Sequence, residues 1–244
     1  NGFASITGYF KDNKALREEN EALQKLLVKQ ASQLLELQDI KKENERLSAL
    51  LEYKSSHSEQ YRLIAAQVIG REPTNWYQTV IINQGSNDGI RTDMPVITPA
   101  GLVGRIIAVT PNTSEVLLLI DNESAVGARI LETRITPGVV QGAGQSKMLE
   151  MIHLSHDESI NVGNTVITSG FSSIFPKGLL IGTVEEVEVD SNTLTKTAYI
   201  KPFVDFDRLE EVMIITEVLK EDTLADEALA GQEETLNNET GGAS

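Results

Sequence analysis

The chain of 244 residues contains no cysteine, so disulfide bonds, thiolate metal ligands and cysteine nucleophiles are excluded. It also has few basic residues: 21 Lys and Arg stand against 36 Asp and Glu, which gives a formal net charge of −15. Nucleic-acid binders need a basic stripe that neutralises phosphates, and anionic lipid surfaces attract the same kind of patch. The charge balance therefore argues against nucleic acid as a partner and against direct docking on anionic lipid.

Aromatic residues and long apolar runs are scarce as well. Phe, Trp and Tyr make up 5% of the chain, with Trp76 as its one tryptophan, so few side chains could stack on sugar rings. This makes direct binding of a sugar polymer a weak alternative. No apolar run approaches the roughly 18–20 residues of a membrane-spanning helix. Because the first residue is Asn1 rather than Met, we expect an upstream segment that the sequence lacks.

A leucine-rich heptad pattern lies within residues 14–58 and predicts a coiled-coil stalk. Its apolar positions alternate in steps of four and three, about 3.5 on average, and therefore form one narrow seam that a second helix would cover. Polar residues in the seam restrict register and strand number at some cost in stability. We expect a parallel homodimer; the alternative is a single long helix packed on its own head. The predicted dimerisation residues are Leu16, Asn20, Leu23, Leu27, Gln30, Leu34 and Leu37.

From Tyr61 onward the pattern changes to short β-rich runs separated by Gly, Pro, Asn and Asp. Many short strands at regular spacing predict a sandwich or barrels. The predicted strands are 63–69, 76–82, 95–98, 102–109, 115–120, 126–131, 138–141, 148–154, 165–168, 179–190 and 194–201. The last two form a hairpin, because valines and acidic residues alternate between its faces.

A short internal sequence repeat favours two barrels over a sandwich. Residues 89–106 and 163–184 both contain Gly, then Val-Ile-Thr, a turn, and Gly-Leu followed by another Gly between aliphatic residues. The fold class is therefore predicted as mainly β with an N-terminal α coiled coil and two small β-barrels packed together. The predicted divisions are a lead-in at 1–13, the stalk at 14–58, a first barrel at 61–137, a second barrel at 138–217 and a disordered acidic tail at 218–244.

Two barrels and a Thr168-Ser169-Gly170 segment raise the alternative of a two-barrel serine hydrolase using Ser169. The order His57, Asp121, Ser169 could be a triad, but His57 lies at the stalk and Thr168-Ser169-Gly170 resembles a turn that leaves a strand. The histidines at 153 and 156 would point to opposite faces of a strand, which is a poor arrangement for a metal. We therefore expect no catalytic residues, no metal site and no cofactor.

The turn Phe171-Ser172-Ser173-Ile174-Phe175-Pro176 carries two aromatic rings where solvated side chains are expected. One interpretation is a loop folded back over a barrel end. The other is an exposed patch that docks a protein partner.

Several of these segments together resemble the family of bacterial rod shape-determining proteins MreC. The most specific are residues 83–90, 101–106 and 168–170, with 175–178 and Gly182. One departure is Gly163-Asn164, where the family usually has Gly-Asp; either residue suits a turn. The family-motif positions, which are also candidates for partner docking, are Gly85, Gly89, Gly104, Thr168, Ser169, Gly170, Phe171, Phe175, Pro176, Gly178 and Gly182.

The resemblance implies a single-pass membrane protein whose transmembrane helix precedes the coiled coil and whose β head lies on the extracytoplasmic side. On this view residues 1–13 follow a transmembrane helix that is missing here. Family members are dimeric, can assemble further, and carry two chymotrypsin-like barrels without a working triad. They organise cell-wall elongation by linking MreD and MreB to RodA and penicillin-binding proteins. The resemblance thus implies a non-enzymatic scaffold rather than a hydrolase.

Overall fold

The computed structural model describes residues 3–71, 78–133, 137–143, 147–155, 160–190 and 195–220. Side chains are described from residue 20 onward, apart from those of 137 and 190. Trp76, His156 and most of the predicted tail lie outside these ranges. The chain divides into two compact units, Asn1–Ala49 and Leu50–Ser244.

One long helix, α1, runs from Phe3 to Ser56. It begins well before the predicted stalk at residue 14, because nothing in the lead-in blocks it: the whole stretch lacks proline, the strongest helix breaker. A turn at 57–60 ends it, with the amide of Tyr61 donating to the carbonyl of His57 at 2.9 Å. Within the described residues, no helix combines the length and the apolar character needed to cross a membrane.

The predicted seam is exposed along α1. Leu23, Leu27, Leu34 and Leu37 are 53–64% accessible, and the two polar seam residues are exposed too. The side chain of Leu16 lies outside the described part. A row of exposed leucines at heptad spacing is the surface that a partner helix would cover.

The second unit is built from strands. Those that the structure describes are β1 (Tyr61–Arg71), β2 (Thr79–Ile82), β3 (Pro95–Thr98), β4 (Gly101–Val109), β5 (Ser114–Leu118), β6 (Ala125–Ile130), β7 (Pro137–Gly142), β8 (Leu149–Ser155), β9 (Thr165–Thr168), β10 (Leu180–Asp190), β11 (Thr195–Pro202) and β12 (Glu211–Val218). The predicted β10–β11 hairpin is confirmed, with Thr183 opposite Lys201 and Asp190 opposite Thr195.

These strands form two closed barrels, as the fold class predicted. The first has the order β1-β12-β3-β4-β5-β2 and the second the order β10-β11-β8-β7-β6-β9. The described pairings are antiparallel; β1 and β12, for example, pair from Tyr61–Val218 to Gln67–Glu211. A continuous cluster of buried side chains runs through both barrels. The largest fully buried side chains are Ile82, Ile90, Ile97, Leu102, Ile106, Leu119, Ile130, Leu149, Met151, Leu154, Ile181 and Ile200.

The predicted division at 137/138 is wrong, because the barrels are nested rather than sequential. Strands β6 to β11 form the second barrel as an insertion between β5 and β12, and β12 returns to close the first. β12 was not among the predicted strands, and its last residue, Val218, was assigned to the tail. Nothing local in a strand says which distant strand it will pair with, so the sequence pattern alone could not place it.

The two similar sequence segments, 89–106 and 163–184, form equivalent hairpins. The first copy contains the antiparallel pair β3–β4 and the second contains β9–β10. Gly104 in β4 and Gly182 in β10 occupy equivalent positions in the two hairpins. A Cβ on Gly104 would overlap the carbonyl oxygen of Leu117 in the neighbouring strand, and a Cβ on Gly182 would overlap that of Lys201. Both barrels therefore have a close approach of two neighbouring strands at the equivalent position, which fits a duplication.

Candidate functional site

The two equivalent hairpins differ in one respect, the segment that joins their strands. In the first barrel, Pro99 and Ala100 suffice to connect β3 to β4. In the second, the connection runs from Ser169 to Leu179, and we name it the β9–β10 loop. This loop holds most of the predicted docking positions. An expansion at one of two otherwise matching hairpins marks the loop as the candidate functional site.

The base of the β9–β10 loop is clamped by Thr168, which is fully buried. Its Oγ1 donates to the carbonyl of Pro176 at 2.5 Å and accepts from the amide of Leu179 at 2.8 Å. The Thr168 carbonyl accepts from the amide of Gly178 at 3.0 Å. On the other side, the amide of Ser169 donates to the carbonyl of Gly127 at 2.9 Å. The loop therefore leaves the barrel from a fixed stem.

At the tip, a sharp turn separates an exposed phenylalanine from a buried one. Gly170 has φ +79° and a Cβ there would lie 2.7 Å from that of Lys177, so only glycine suits this turn. The hydroxyl of Ser172 accepts from the amides of Ile174 and Phe175, both at 3.3 Å. The ring of Phe175 is consequently buried, whereas that of Phe171 is 85% exposed.

The turn thus has one part that is folded back on the core and one part that is exposed. Phe175 belongs to the folded-back part and is buried, and the docking role of the turn stays a prediction. Phe171 is the exposed aromatic. An exposed ring on a hydrogen-bonded loop loses little conformational freedom when it is bound, which suits a binding anchor.

Cavities flank the β9–β10 loop on two sides. One of about 560 Å³ lies between the loop and the residues Tyr61, Val218 and Lys220. Another of about 380 Å³ lies between the loop and residues 91–95 and 215–218. The loop of the second barrel therefore reaches across to β12 of the first. Sequence reasoning missed these neighbours, because they lie at the start of β1 and the end of β12, far from the loop in the chain.

The other predicted positions lie outside this loop. Gly85 and Gly89 flank a short 3₁₀ helix in the first barrel, where the carboxylate of Asp88 accepts from the amide of Gly85 at 2.9 Å. Gly104 and Gly182 lie within strands, where they permit close packing. These four residues shape the barrels, and the structure gives them no exposed side chain with which to bind a partner.

The residues of the alternative triad have other partners. The ring of His57 stacks on that of Tyr53 at 4.0 Å, and its Nδ1 lies 3.0 Å from the Tyr53 carbonyl. Burial raises the pKa of the Tyr53 hydroxyl. The carboxylate of Asp121 accepts from the amides of Gln78 and Glu123, at 2.6 and 2.8 Å. The hydrogen bonds of the described residues do not join any two of the three triad candidates.

The Oγ of Ser169 also has a structural role, because it accepts from the amide of Phe171 at 3.3 Å. The triad mechanism needs the nucleophile bonded to its base and the base to a carboxylate. Among the described residues, no group of three or more His, Asp and Glu lies close enough to hold a metal ion. Ser169 thus helps to shape the start of the β9–β10 loop.

Replacing Thr168 by valine keeps the shape of the side chain but removes the hydroxyl that clamps the loop. The Pro176 carbonyl and the Leu179 amide then lose a buried partner, and we expect the free energy of unfolding to fall by about 1–3 kcal/mol. Urea unfolding measures this. Thr183→Val in β10 is the matched control, because the hydroxyl of Thr183 makes no hydrogen bond within the described residues; it should stay within about 0.5 kcal/mol. Equal losses in both variants would contradict the clamp.

Comparison with known proteins identifies the family of the fold, and the matched residues include the β9–β10 loop. The family model described as rod shape-determining protein MreC, barrel core, matches residues 68–216. These include the whole second barrel with its β9–β10 loop, and the first barrel apart from 61–67 and 217–218. The chain belongs to the MreC family. The resemblance seen in the sequence is thereby confirmed, and MreC proteins are cell shape-determining proteins.

Individual MreC proteins agree with this assignment. The cell shape-determining protein MreC of Listeria monocytogenes is 35% identical over 234 residues, covering 95% of this chain and 77% of that protein. A solved MreC structure from Listeria aligns with a TM-score of 0.61 at 35% identity, over 83% of this chain and 97% of that one.

A more distant MreC structure shares the fold alone. It comes from a complex between penicillin-binding protein PBP2 and MreC of Helicobacter pylori. It aligns with a TM-score of 0.50 at 17% identity, over 64% of this chain and 100% of that one.

Proposed function

We propose that this chain is a non-enzymatic, dimeric scaffold of the bacterial cell-wall elongation machinery, which maintains rod shape by organising the enzymes of peptidoglycan synthesis. The observation that carries the proposal is Phe171, an 85% exposed ring held on a clamped loop in a chain of the MreC family. A scaffold needs surfaces that bind, and this ring is a well-defined anchor of the kind found at the centre of protein interfaces.

Pairing through α1 would multiply the effect of such an anchor. Two heads joined by the leucine seam present two copies of the β9–β10 loop. A second weak contact then forms within an already bound assembly, at an effective concentration near the millimolar range for short linkers. The exposed leucines at heptad spacing support this part of the proposal.

Penicillin-binding proteins are the partners we propose for the head. The complex of PBP2 with the Helicobacter pylori protein supports this choice. MreD, MreB and RodA are further proposed partners that rest on the family resemblance. The same resemblance supports a membrane anchor upstream of the coiled coil and a β head on the cell-wall side of the membrane.

In-cell photo-crosslinking tests the proposed docking role. A photoreactive amino acid placed at Phe171 should capture a penicillin-binding protein, identified by mass spectrometry. The matched control is Val162, which is 67% exposed on the same barrel and should not capture it. Capture from both positions, or from Val162 alone, would contradict a specific role of the β9–β10 loop.

Phe171→Ala gives the same test in solution. We expect the affinity of the dimer for the purified extracytoplasmic part of a penicillin-binding protein to fall at least about tenfold, since an aromatic anchor contributes on the order of 2 kcal/mol. The free energy of unfolding should change by less than about 0.5 kcal/mol, because the ring is exposed. Unchanged affinity in isothermal titration calorimetry would remove Phe171 from the interface.

A fluorophosphonate probe, which labels activated serines, should leave Ser169 unlabelled.

A further inference from the structure

The second barrel contains a strand that is much longer than one of its two neighbours. β10 has 11 residues, whereas β9 has 4. The pairing of β10 with β9 ends at Thr183, but its pairing with β11 continues to Asp190. Within the described part of the chain, residues 186–190 of β10 therefore have a strand on one side only. We name the other side the open β10 edge.

The main-chain groups that face the open β10 edge follow from the alternation of an antiparallel ladder. Val184 bonds away from β11, because its amide and its carbonyl both form hydrogen bonds with the turn before β9, at 2.9 and 2.8 Å. Its opposite residue, Ile200, is therefore also turned away from β10, and every second residue of β11 shares that direction. The next two such residues stand opposite Val187 and Val189. The amides and carbonyls of these two valines consequently face the open β10 edge.

An edge of this kind can accept another strand, because amides and carbonyls with no strand beside them are a template for pairing. Proteins commonly block such edges with proline or lysine, and residues 186–190 contain neither. They contain instead two β-branched residues, of which Val189 is 48% exposed. The edge is thus suited to strand addition, in which an extended peptide joins a sheet.

The face of the edge that carries Glu186 and Glu188 is acidic. Tyr199 stands between Glu186 of β10 and Glu150 of β8. A hydrogen bond to Glu188 and the negative charges around it raise the pKa of the Tyr199 hydroxyl. The Glu188 carboxylate accepts from that hydroxyl at 3.2 Å and has lone pairs for further donors. Carboxylates from two strands therefore converge on one surface beside the edge.

The lysines of β11 leave the acidic character of this face in place. Lys201 forms an ion pair with Glu185 at 3.4 Å, at the bulge where the register of β10 and β11 shifts. Lys196 stands opposite Val189 and therefore lies on the other face of the hairpin. Among the described contacts, Glu186 has no hydrogen bond or ion pair. A cationic side chain is the ligand that would complement this surface.

We propose that the open β10 edge binds an extended, basic segment of a partner protein as an added antiparallel strand. Hydrogen bonds to the main chain of Val187 and Val189 would align the segment. Its lysines or arginines would lie opposite Glu186 and Glu188, and its apolar residues would lie opposite the two valines. The same glutamates would repel this edge in a second copy of the chain, so charge selects a different protein as the occupant.

This surface is separate from the β9–β10 loop. The loop leads into the first residue of β10, whereas the open β10 edge lies at the far end of the same strand, roughly 20 Å away at about 3.3 Å per residue. The proposal therefore concerns a second binding surface of the head and does not depend on Phe171.

Peptide binding in solution tests the proposal. The probe is a capped, fluorescently labelled peptide of sequence TKVKVKT, in which lysines and valines occupy opposite faces of a strand. We expect fluorescence anisotropy to show binding to the chain, with lower affinity at high salt, which screens the charges. The matched peptide TEVEVET should not bind. Absence of binding by TKVKVKT up to about 1 mM would overturn the proposal.

Val189→Pro tests whether the peptide pairs with the strand. Proline removes the amide that faces the edge, and no hydrogen bond between β10 and β11 uses that amide. We expect the affinity for TKVKVKT to fall at least about tenfold, whereas Val189→Thr, which keeps the amide and the β-branched shape, should stay within about twofold. Equal affinities in the two variants would mean that charge alone holds the peptide, and strand addition would be wrong.

Peptides methylated at nitrogen make the same test in the unaltered chain, so the result does not depend on how the hairpin tolerates proline. Directly opposite residues share a face and a bonding direction, so the valine amides of the probe would point toward β10. N-methyl groups on the two valines should abolish binding, and N-methyl groups on two lysines should be tolerated. Equal effects of the two modifications would contradict strand addition.

Reversing the charge of the edge tests its selectivity. Glu186→Lys, Glu188→Lys should bind TEVEVET in place of TKVKVKT. The control Glu36→Lys, Glu43→Lys changes the net charge equally on α1 and should leave the preference as it was; a preference altered equally in both would contradict the assigned surface. Phe171→Ala should leave peptide binding unchanged. If that variant also keeps its affinity for a penicillin-binding protein, the docking role of the loop fails and the open β10 edge is unaffected.

Discussion

The double substitution Leu23→Asp, Leu34→Asp is expected to turn the proposed dimer into a monomer. Both leucines occupy the seam, and in a paired coil each aspartate would face the partner helix with its charge buried. A buried carboxylate without a partner costs roughly 3 kcal/mol or more, and the dimer would contain four of them. We expect that total to prevent pairing. Sedimentation equilibrium should give twice the chain mass for the parent and the single chain mass for the variant.

A matched control separates the seam from general effects of added charge. Val28 and Leu35 are also exposed on α1, at 70% and 62%, but they lie outside the heptad seam. They are separated by about two helical turns, against about three for Leu23 and Leu34. Val28→Asp, Leu35→Asp adds the same number of charges to the helix. We expect this variant to stay dimeric. A dimer that survives the seam variant, or one lost equally in both variants, would contradict pairing through these residues.

Gly104→Ala is expected to destabilise the first barrel strongly. The added methyl group would overlap the carbonyl of Leu117 and come within 3.1 Å of the Cα of Leu118, both in the adjacent strand β5. Relief requires β5 to move away, yet β5 also pairs with β2, where Leu117 stands opposite Thr79. Backbone atoms held on both sides cannot give way cheaply, so we expect a loss of at least about 3 kcal/mol in the free energy of unfolding.

Ala108→Val is the matched control for this prediction. It enlarges a side chain in the same strand, β4, at an exposed position. A β-branched residue suits an exposed strand position, so its effect should stay within about 0.5 kcal/mol. Urea unfolding followed by circular dichroism measures both variants. A Gly104→Ala variant as stable as the control would mean that the strands can separate there without cost.

The heptads and the strand patterns made much of the fold predictable, because both are local signals. The helix was recognised from the spacing of leucines such as Leu23 and Leu27, and the β10–β11 hairpin from its alternation. The nesting was not predictable. It depends on the pairing of Tyr61 with Val218, and four consecutive buried residues in β12 would suit any buried strand. The pairing partners of β12 are decided only by the arrangement of all the other strands.

The candidate site was predictable as a segment but not in its orientation. Phe171 and Phe175 look alike in the sequence, since both are aromatic residues in a turn with Ser and Pro. Their separation into an exposed and a buried ring depends on the turn at Gly170 and on the Ser172 hydroxyl, which accepts from the Phe175 amide. The cavity was hidden for a different reason, because Lys220 reaches the loop only through the long-range return of β12.

Cell width is the measurement that tests the scaffold account most directly. In one strain, the gene in its native bacterium would be replaced by the Leu23→Asp, Leu34→Asp variant. In a second strain, it would be replaced by a chain whose residues 14–53 are exchanged for an unrelated parallel dimeric coiled coil. If paired heads are what the cell requires, the first strain should lose its rod shape and the second should keep it. Rod-shaped cells of normal width in the first strain, with the protein shown to be monomeric, would contradict the account.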